Sequence, residues 1–240
     1  MNMLVIAHQG ASGYRPGNTL AAFTLAVQLG ADMIELDVQA TADGKLAVIH
    51  DASVDRTSNG LGDVSSLTLA QIQQFKIQDS QGEWVPALDE VLEILAGSCI
   101  TLNVELKSRG TGAMLAEKLS QLDATMRADW KAEDILVTST SFQEIAAFHR
   151  LRPDIQIGLI IYQWPLSLKA YQGLGLSYLI ASKKMVNQQQ VLLAHAQGFK
   201  FLVSVVNEQA EIREFINMGV DGIFSDFPDR VRLEMTLVKA

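Results

Sequence analysis

The chain has 240 residues, 48% of them hydrophobic and 19% charged, with a net charge of −8 and one cysteine. That length can bury about three quarters of the surface an unfolded chain exposes, so a large core is expected and general disorder is excluded. Diffuse acidity argues against a nucleic-acid partner, the lone Cys99 cannot form an internal disulfide, and no run of about 18 apolar residues offers a membrane span.

Strand-like and helix-like segments alternate along the chain. Met3–Ala7 reads as a short buried strand that ends at His8. Asn18 or Thr19 caps a helix running to Leu29, with Leu20, Phe23, Ala26 and Val27 on one face and Gly30 as its stop. Asp32–Val38 is the next strand, and Leu46–Ile49 is an extended run ending in His50. Ser66–Phe75 and Leu88–Leu95 read as helices. Ile100–Leu106 alternates apolar and polar residues and leads to Lys107, followed by a helix over Ala113–Leu122.

The second half is more regular. Strands at Ile135–Ser139, Ile155–Ile161, Leu176–Ala181, Phe199–Val205 and Asp221–Phe224 precede helices at Phe142–Leu151, Leu166–Tyr171, Asn187–Ala196, Glu208–Met218 and Asp229–Val238. Eight strand–helix units result if Leu46–Ile49 and Ser66–Phe75 form an insertion after the second strand. Alternation of this kind implies a parallel sheet. No G-x-G-x-x-G turn is present to favour an open doubly wound sheet. The expected fold is an α/β (β/α)₈ TIM barrel, one domain over residues 1–240 with an insertion at about 40–85.

A barrel carries its chemistry at the C-terminal ends of its strands, and ionisable residues gather there. Glu35 and Asp37 lie two apart on one strand and therefore share a face, and Glu105 and Lys107 repeat the spacing on the next barrel strand. Two acids on one face repel, and burying them bare is costly. A divalent cation resolves the conflict. Three carboxylates without a cysteine or histidine cluster suit a hard ion, Mg²⁺ or Ca²⁺, better than zinc. His8 and His50 end apolar strands on either side of the acids and fit an acid–base pair, since an imidazole titrates close to working pH. His149 and His195 fall on helices and read as surface or packing residues.

These residues also resemble a known family. His8-Gln9-Gly10-Ala11-Ser12-Gly13, Pro16-Gly17-Asn18-Thr19-Leu20, Glu35-Leu36-Asp37-Val38, Ile49-His50-Asp51, Pro86-Ala87-Leu88-Asp89-Glu90, Glu105-Leu106-Lys107 and Gly219-Val220-Asp221-Gly222-Ile223 with Asp226 resemble glycerophosphodiester phosphodiesterases, in order over nearly the whole chain. The resemblance implies Glu35, Asp37 and Glu105 as metal ligands, His8 and His50 as the acid–base pair, and Lys107 as a phosphate contact. It implies a small-molecule phosphodiester substrate, hydrolysed to sn-glycerol 3-phosphate and an alcohol in the cytoplasm. Oligomeric state is not legible.

Three positions depart from the pattern. Gln9 stands where the family has arginine, Gly17 where it has glutamate, and Ser204, before Val205-Val206-Asn207, where it has tryptophan. Gln9 and Ser204 are expected against the substrate. An amide in place of a guanidinium removes a bidentate charged phosphate contact, a loss of about 1.5–3 kcal/mol. Arg15, beside Gly17, reads as a loop cation in water. Two alternatives follow: a shifted substrate such as a lysophospholipid or sugar phosphodiester, or a barrel that binds a phosphodiester with impaired catalysis.

Overall fold

A computed structural model describes residues 3–124, 130–164 and 173–238. In chain order the elements are β1 (Leu4–Ala7), α1 (Leu20–Gln28), β2 (Met33–Ala40), β3 (Leu46–Val48), α2 (Leu69–Ile72), α3 (Leu88–Ile94), β4 (Thr101–Leu106), α4 (Thr111–Ala124) and β5 (Ile135–Ser139). Then come α5 (Phe142–Leu151), β6 (Gln156–Ile161), β7 (Tyr178–Ser182), α6 (Gln188–Ala196), β8 (Lys200–Ser204), α7 (Gln209–Met218), β9 (Gly222–Ser225) and α8 (Pro228–Val238).

Eight strands run parallel, each paired to the next through β1, β2, β4, β5, β6, β7, β8 and β9. β9 then pairs back onto β1, which closes the TIM barrel. β3 lies outside this count, antiparallel to the end of β2, with Val38 opposite Val48 and Ala40 opposite Leu46. Among the described residues no helix is long and apolar enough to cross a membrane.

The period of two divides each strand between two environments. On β2, Ile34, Leu36 and Val38 join the large apolar layer between barrel and helices. Met33 points the other way and packs with Ile6, Leu136, Tyr178, Ile180, Leu202 and Phe224, which fill the barrel interior. Gly158 on β6 faces that crowded interior: a β-carbon there would lie 3.0 Å from Ile180 Cδ1 and 3.0 Å from Tyr178 Cβ. The interior near the strand starts is thus an apolar plug. Glu35, Asp37 and Glu105 lie beyond it, toward the C-terminal ends of β2 and β4.

Local signals set the helix ends. Thr19, extended at φ −113° and ψ 155°, accepts the Ala22 N–H and starts α1, and Gly30 follows the helix at φ +75°, a left-handed conformation that costs glycine little. The expected helix over Ser66–Phe75 is not continuous. A 3₁₀ turn covers Val64–Ser66, Thr68 is extended, and α2 begins only after it. Thr68 makes a capping box with Gln71, and this competes with helix continuation through the same residues. The expected helix at Leu166–Tyr171 lies outside the described residues. Ala47, Ile49, Val54, Val64, Ile72, Ile77 and Val85 give the segment between β2 and α3 its own small core.

Candidate active site at the strand ends

Glu35 and Asp37 point into the barrel and are 2% and 1% exposed. The β2–β4 register places Glu105 directly beside Asp37. One carboxylate oxygen from each of Glu35, Asp37 and Glu105 lies within 4.8 Å of the other two. The expected ligand set is therefore brought together, and neighbouring donors orient it. The Gln9 backbone N–H donates to Glu35 Oε2 at 2.8 Å. Asp37 Oδ2 accepts from Gln9 Nε2 and from Asn18 Nδ2, each at 2.8 Å. Lys107 Nζ donates to Glu105 Oε1 at 2.8 Å.

Asp37 Oδ1 is different. It is buried without a hydrogen bond, and Lys107 Nζ is 3.5 Å away, an ion-pair distance without hydrogen-bond geometry. Burial pushes Glu35 well above the usual carboxylate range and the charge of Asp37 pushes it further, while His8 opposes. Burial and Asp37 likewise raise Glu105 against the pull of Lys107. Lys107 is itself held protonated, because Glu105 and Asp37 outweigh its burial. One lysine thus faces two buried acids and a third that is partly exposed. The excess negative charge, the all-oxygen donor set and the orphaned Asp37 Oδ1 all fit a hard divalent cation.

The two histidines flank this cluster, each anchored through Nδ1 to a carboxylate. His8 Nδ1 is 2.8 Å from Asp226 Oδ1. A carboxylate only accepts, so the Nδ1–H donates and Nε2 is left for chemistry. Ser12 Oγ–H and Asn207 Nδ2–H also donate to Asp226, at 2.8 and 2.6 Å. His8 is raised to about 9: burial pulls it down, but the Asp226 hydrogen bond and the charges of Glu35, Asp226 and Asp37 prevail. Asp226 stays below the usual range despite its burial, held there by His8 and Asn207.

His50 follows β3 and donates from Nδ1 to Asp51 Oδ1 at 2.7 Å. Arg56 grips the same carboxylate through Nε at 2.5 Å and Nη2 at 3.0 Å. Those bonds, led by Arg56 and opposed by burial, hold Asp51 at about 2. A cavity of about 240 Å³ opens beside His50, lined by Gln9, Gly17, Asn18, Arg56 and Thr57 among others.

The other expected residues fall as follows. Ser204 ends β8, half-buried and level with Ser182 of β7. Gln9, expected against the substrate, turns its amide to Asp37. Arg15 is exposed and bonds the Tyr14 carbonyl at 2.9 Å, as a loop cation would. His195 bonds Asp221 at 2.7 Å, just before β9 and so at the opposite end of the barrel from the acids. Asp226, Asn18, Asn207 and Asp51 were not expected as site residues. Asp226 carried a legible signal, an ionisable residue directly after a strand.

The sequence profile of the Glycerophosphoryl diester phosphodiesterase family matches residues 8–230. A Bacillus altitudinis glycerophosphodiester phosphodiesterase is 34% identical over 249 residues, covering 96% of this chain and 98% of its own. A Caldanaerobacter subterraneus glycerophosphodiester phosphodiesterase is 34% identical over 242 residues, covering 95% and 96%. An Oleispira antarctica phosphodiesterase, solved in complex with the product sn-glycerol-3-phosphate, superimposes with a TM-score of 0.87 at 28% identity, covering 96% of each chain.

Proposed function

The chain belongs to the glycerophosphoryl diester phosphodiesterase family and is a phosphoric diester hydrolase; we propose that it releases sn-glycerol 3-phosphate and an alcohol using one divalent cation, Mg²⁺ or Ca²⁺, and the pair His8 and His50. Residues 1–240 would form one barrel domain carrying this single site. The observation that carries it is the buried Asp37 Oδ1, which accepts no hydrogen bond, beside two further acids with a carboxylate-anchored imidazole on each side.

Glu35, Asp37 and Glu105 would hold the cation. When bound, it supplies Lewis-acid stabilisation to the charge that develops on the phosphoryl oxygens. Lys107 adds a fixed positive charge beside the same oxygens from its perch on Glu105. His8 stays protonated at neutral pH and its Nε2–H is free to be given up, which suits it to protonating the leaving oxygen. His50, steered by Asp51 and Arg56, takes the proton from the attacking hydroxyl or water. Ser204 ends β8 at the barrel mouth, where it would face the substrate.

The test is release of sn-glycerol 3-phosphate from glycerophosphocholine, glycerophosphoethanolamine and glycerophosphoglycerol, with and without chelator. Activity should vanish on chelation, return with Mg²⁺ or Ca²⁺, and be absent in Glu35→Ala. Metal-dependent turnover that survives in Glu35→Ala would remove Glu35 from the ligand set.

A further inference from the structure

We infer that Gln9 and Gly17 act as one unit that positions Asp37 for the cation, so that residue 9 serves the metal site and not the phosphate. The inference rests on reading the three carboxylates as that site. Gln9 has a left-handed backbone, φ +54°. This turn sends its N–H to Glu35 Oε2 and its side-chain amide to Asp37 Oδ2, each at 2.8 Å. A single residue therefore holds two of the three ligands. Asn18 completes the grip on Asp37: its Nδ2 shares Oδ2 at 2.8 Å, and its Oδ1 accepts the Asp37 backbone N–H at 3.2 Å. With two donors fixed on Oδ2, the carboxylate is held in one orientation, and Oδ1 is left buried without a hydrogen bond, 3.5 Å from Lys107 Nζ.

Gly17 makes the Gln9 placement possible. A β-carbon at residue 17 would lie 2.6 Å from Gln9 Oε1 and 3.0 Å from Gln9 Cβ. Gly17 is not among the positive-φ glycines, so the missing side chain, not backbone freedom, is what the site uses. The chemistry favours an amide here. A neutral donor orients Asp37 while leaving its full charge for the ion, whereas a guanidinium would compete with the ion for that charge.

The test is calorimetric titration of metal-free protein with Mg²⁺ and with Ca²⁺, for wild type, Gln9→Asn, Gly17→Ala and the double variant. Asparagine tolerates the left-handed backbone but carries its amide one methylene short. Gln9→Asn should weaken metal binding roughly ten- to hundredfold. Gly17→Ala should weaken it to a similar degree by evicting the amide, and the double variant should be no weaker than the weaker single. KM at saturating metal should stay near wild type. Wild-type metal affinity in Gln9→Asn, with a raised KM, would make residue 9 a substrate contact and overturn the inference. Losses that multiply in the double variant would also overturn it. Absence of metal binding by wild type would sink the metal site itself, a result distinct from both.

Discussion

His8 gains its character from residues far away in sequence: Asp226 is 218 positions distant and still fixes its tautomer. Because the folded pKa of His8 is raised from 6.5 to about 9, its bond to Asp226 contributes stability that is fully present below about pH 6.5 and is lost as pH rises through about 9. Asp226→Asn should therefore cost most stability near pH 6 and much less at pH 10, as read from urea unfolding at both values. The same variant should move the alkaline limb of the kcat/KM profile toward lower pH, since a neutral amide stabilises the imidazolium less than a carboxylate does. A bound cation would offset Glu35 and Asp37, whereas the hydrogen bond to Asp226 would remain. An unmoved limb would contradict a protonated His8 as the acid. Strand period and strand ends made the placing of Glu35, Asp37, Glu105, Lys107, His8 and His50 legible in the sequence, and the family resemblance supplied the role expected of Lys107. Asn18 and Asn207 were not, because their work is to hold other side chains and depends on which segments the fold brings together.

Two elements support the site from outside the barrel. α4 starts just after Lys107, and a buried side chain from α5 completes its N-terminal turn: Glu144 Oε1 and Oε2 accept the N–H groups of Gly110 and Gly112, each at 2.9 Å. Glu144→Ala leaves both donors unpaired and should cost roughly 1–3 kcal/mol in denaturant unfolding. Gly112 is shaped to this contact, since a β-carbon there would meet the Glu144 carbonyl oxygen at 2.3 Å. The second element is the segment between β2 and α3, which carries His50 and Arg56 over its own core. Ile72, fully buried there, should lose roughly 2–5 kcal/mol on change to alanine. Hydrogen exchange should then quicken in residues 46–85 more than in the barrel strands. Barrel strands were easy to recognise because their outward faces are apolar at a strict period of two. The break at Thr68 was hidden because apolar spacing continues across it while the cap acts through a side-chain hydrogen bond.

At the scale of the whole molecule, an acidic chain would meet an anionic substrate through local positive charge at the site, from Lys107, Arg56 and the proposed cation. Gathering three acids there, two of them buried, works against stability, and cation binding should return it. Mg²⁺ or Ca²⁺ at a hundred times its dissociation constant should raise the unfolding free energy by about 2.7 kcal/mol, visible as a higher Tm. Glu35→Gln, which removes one repelling charge, should melt at or above the metal-free wild type and show none of that metal-induced rise. Closure itself was countable in the sequence as eight strand–helix units, but the antiparallel course of β3 on β2 was not, because a short apolar run does not state its direction. The most direct test is an anomalous difference map from crystals soaked in Mn²⁺. One peak within bonding distance of Glu35, Asp37 and Glu105 is predicted, and a map with no peak there, or with its peak elsewhere, would contradict the metal site.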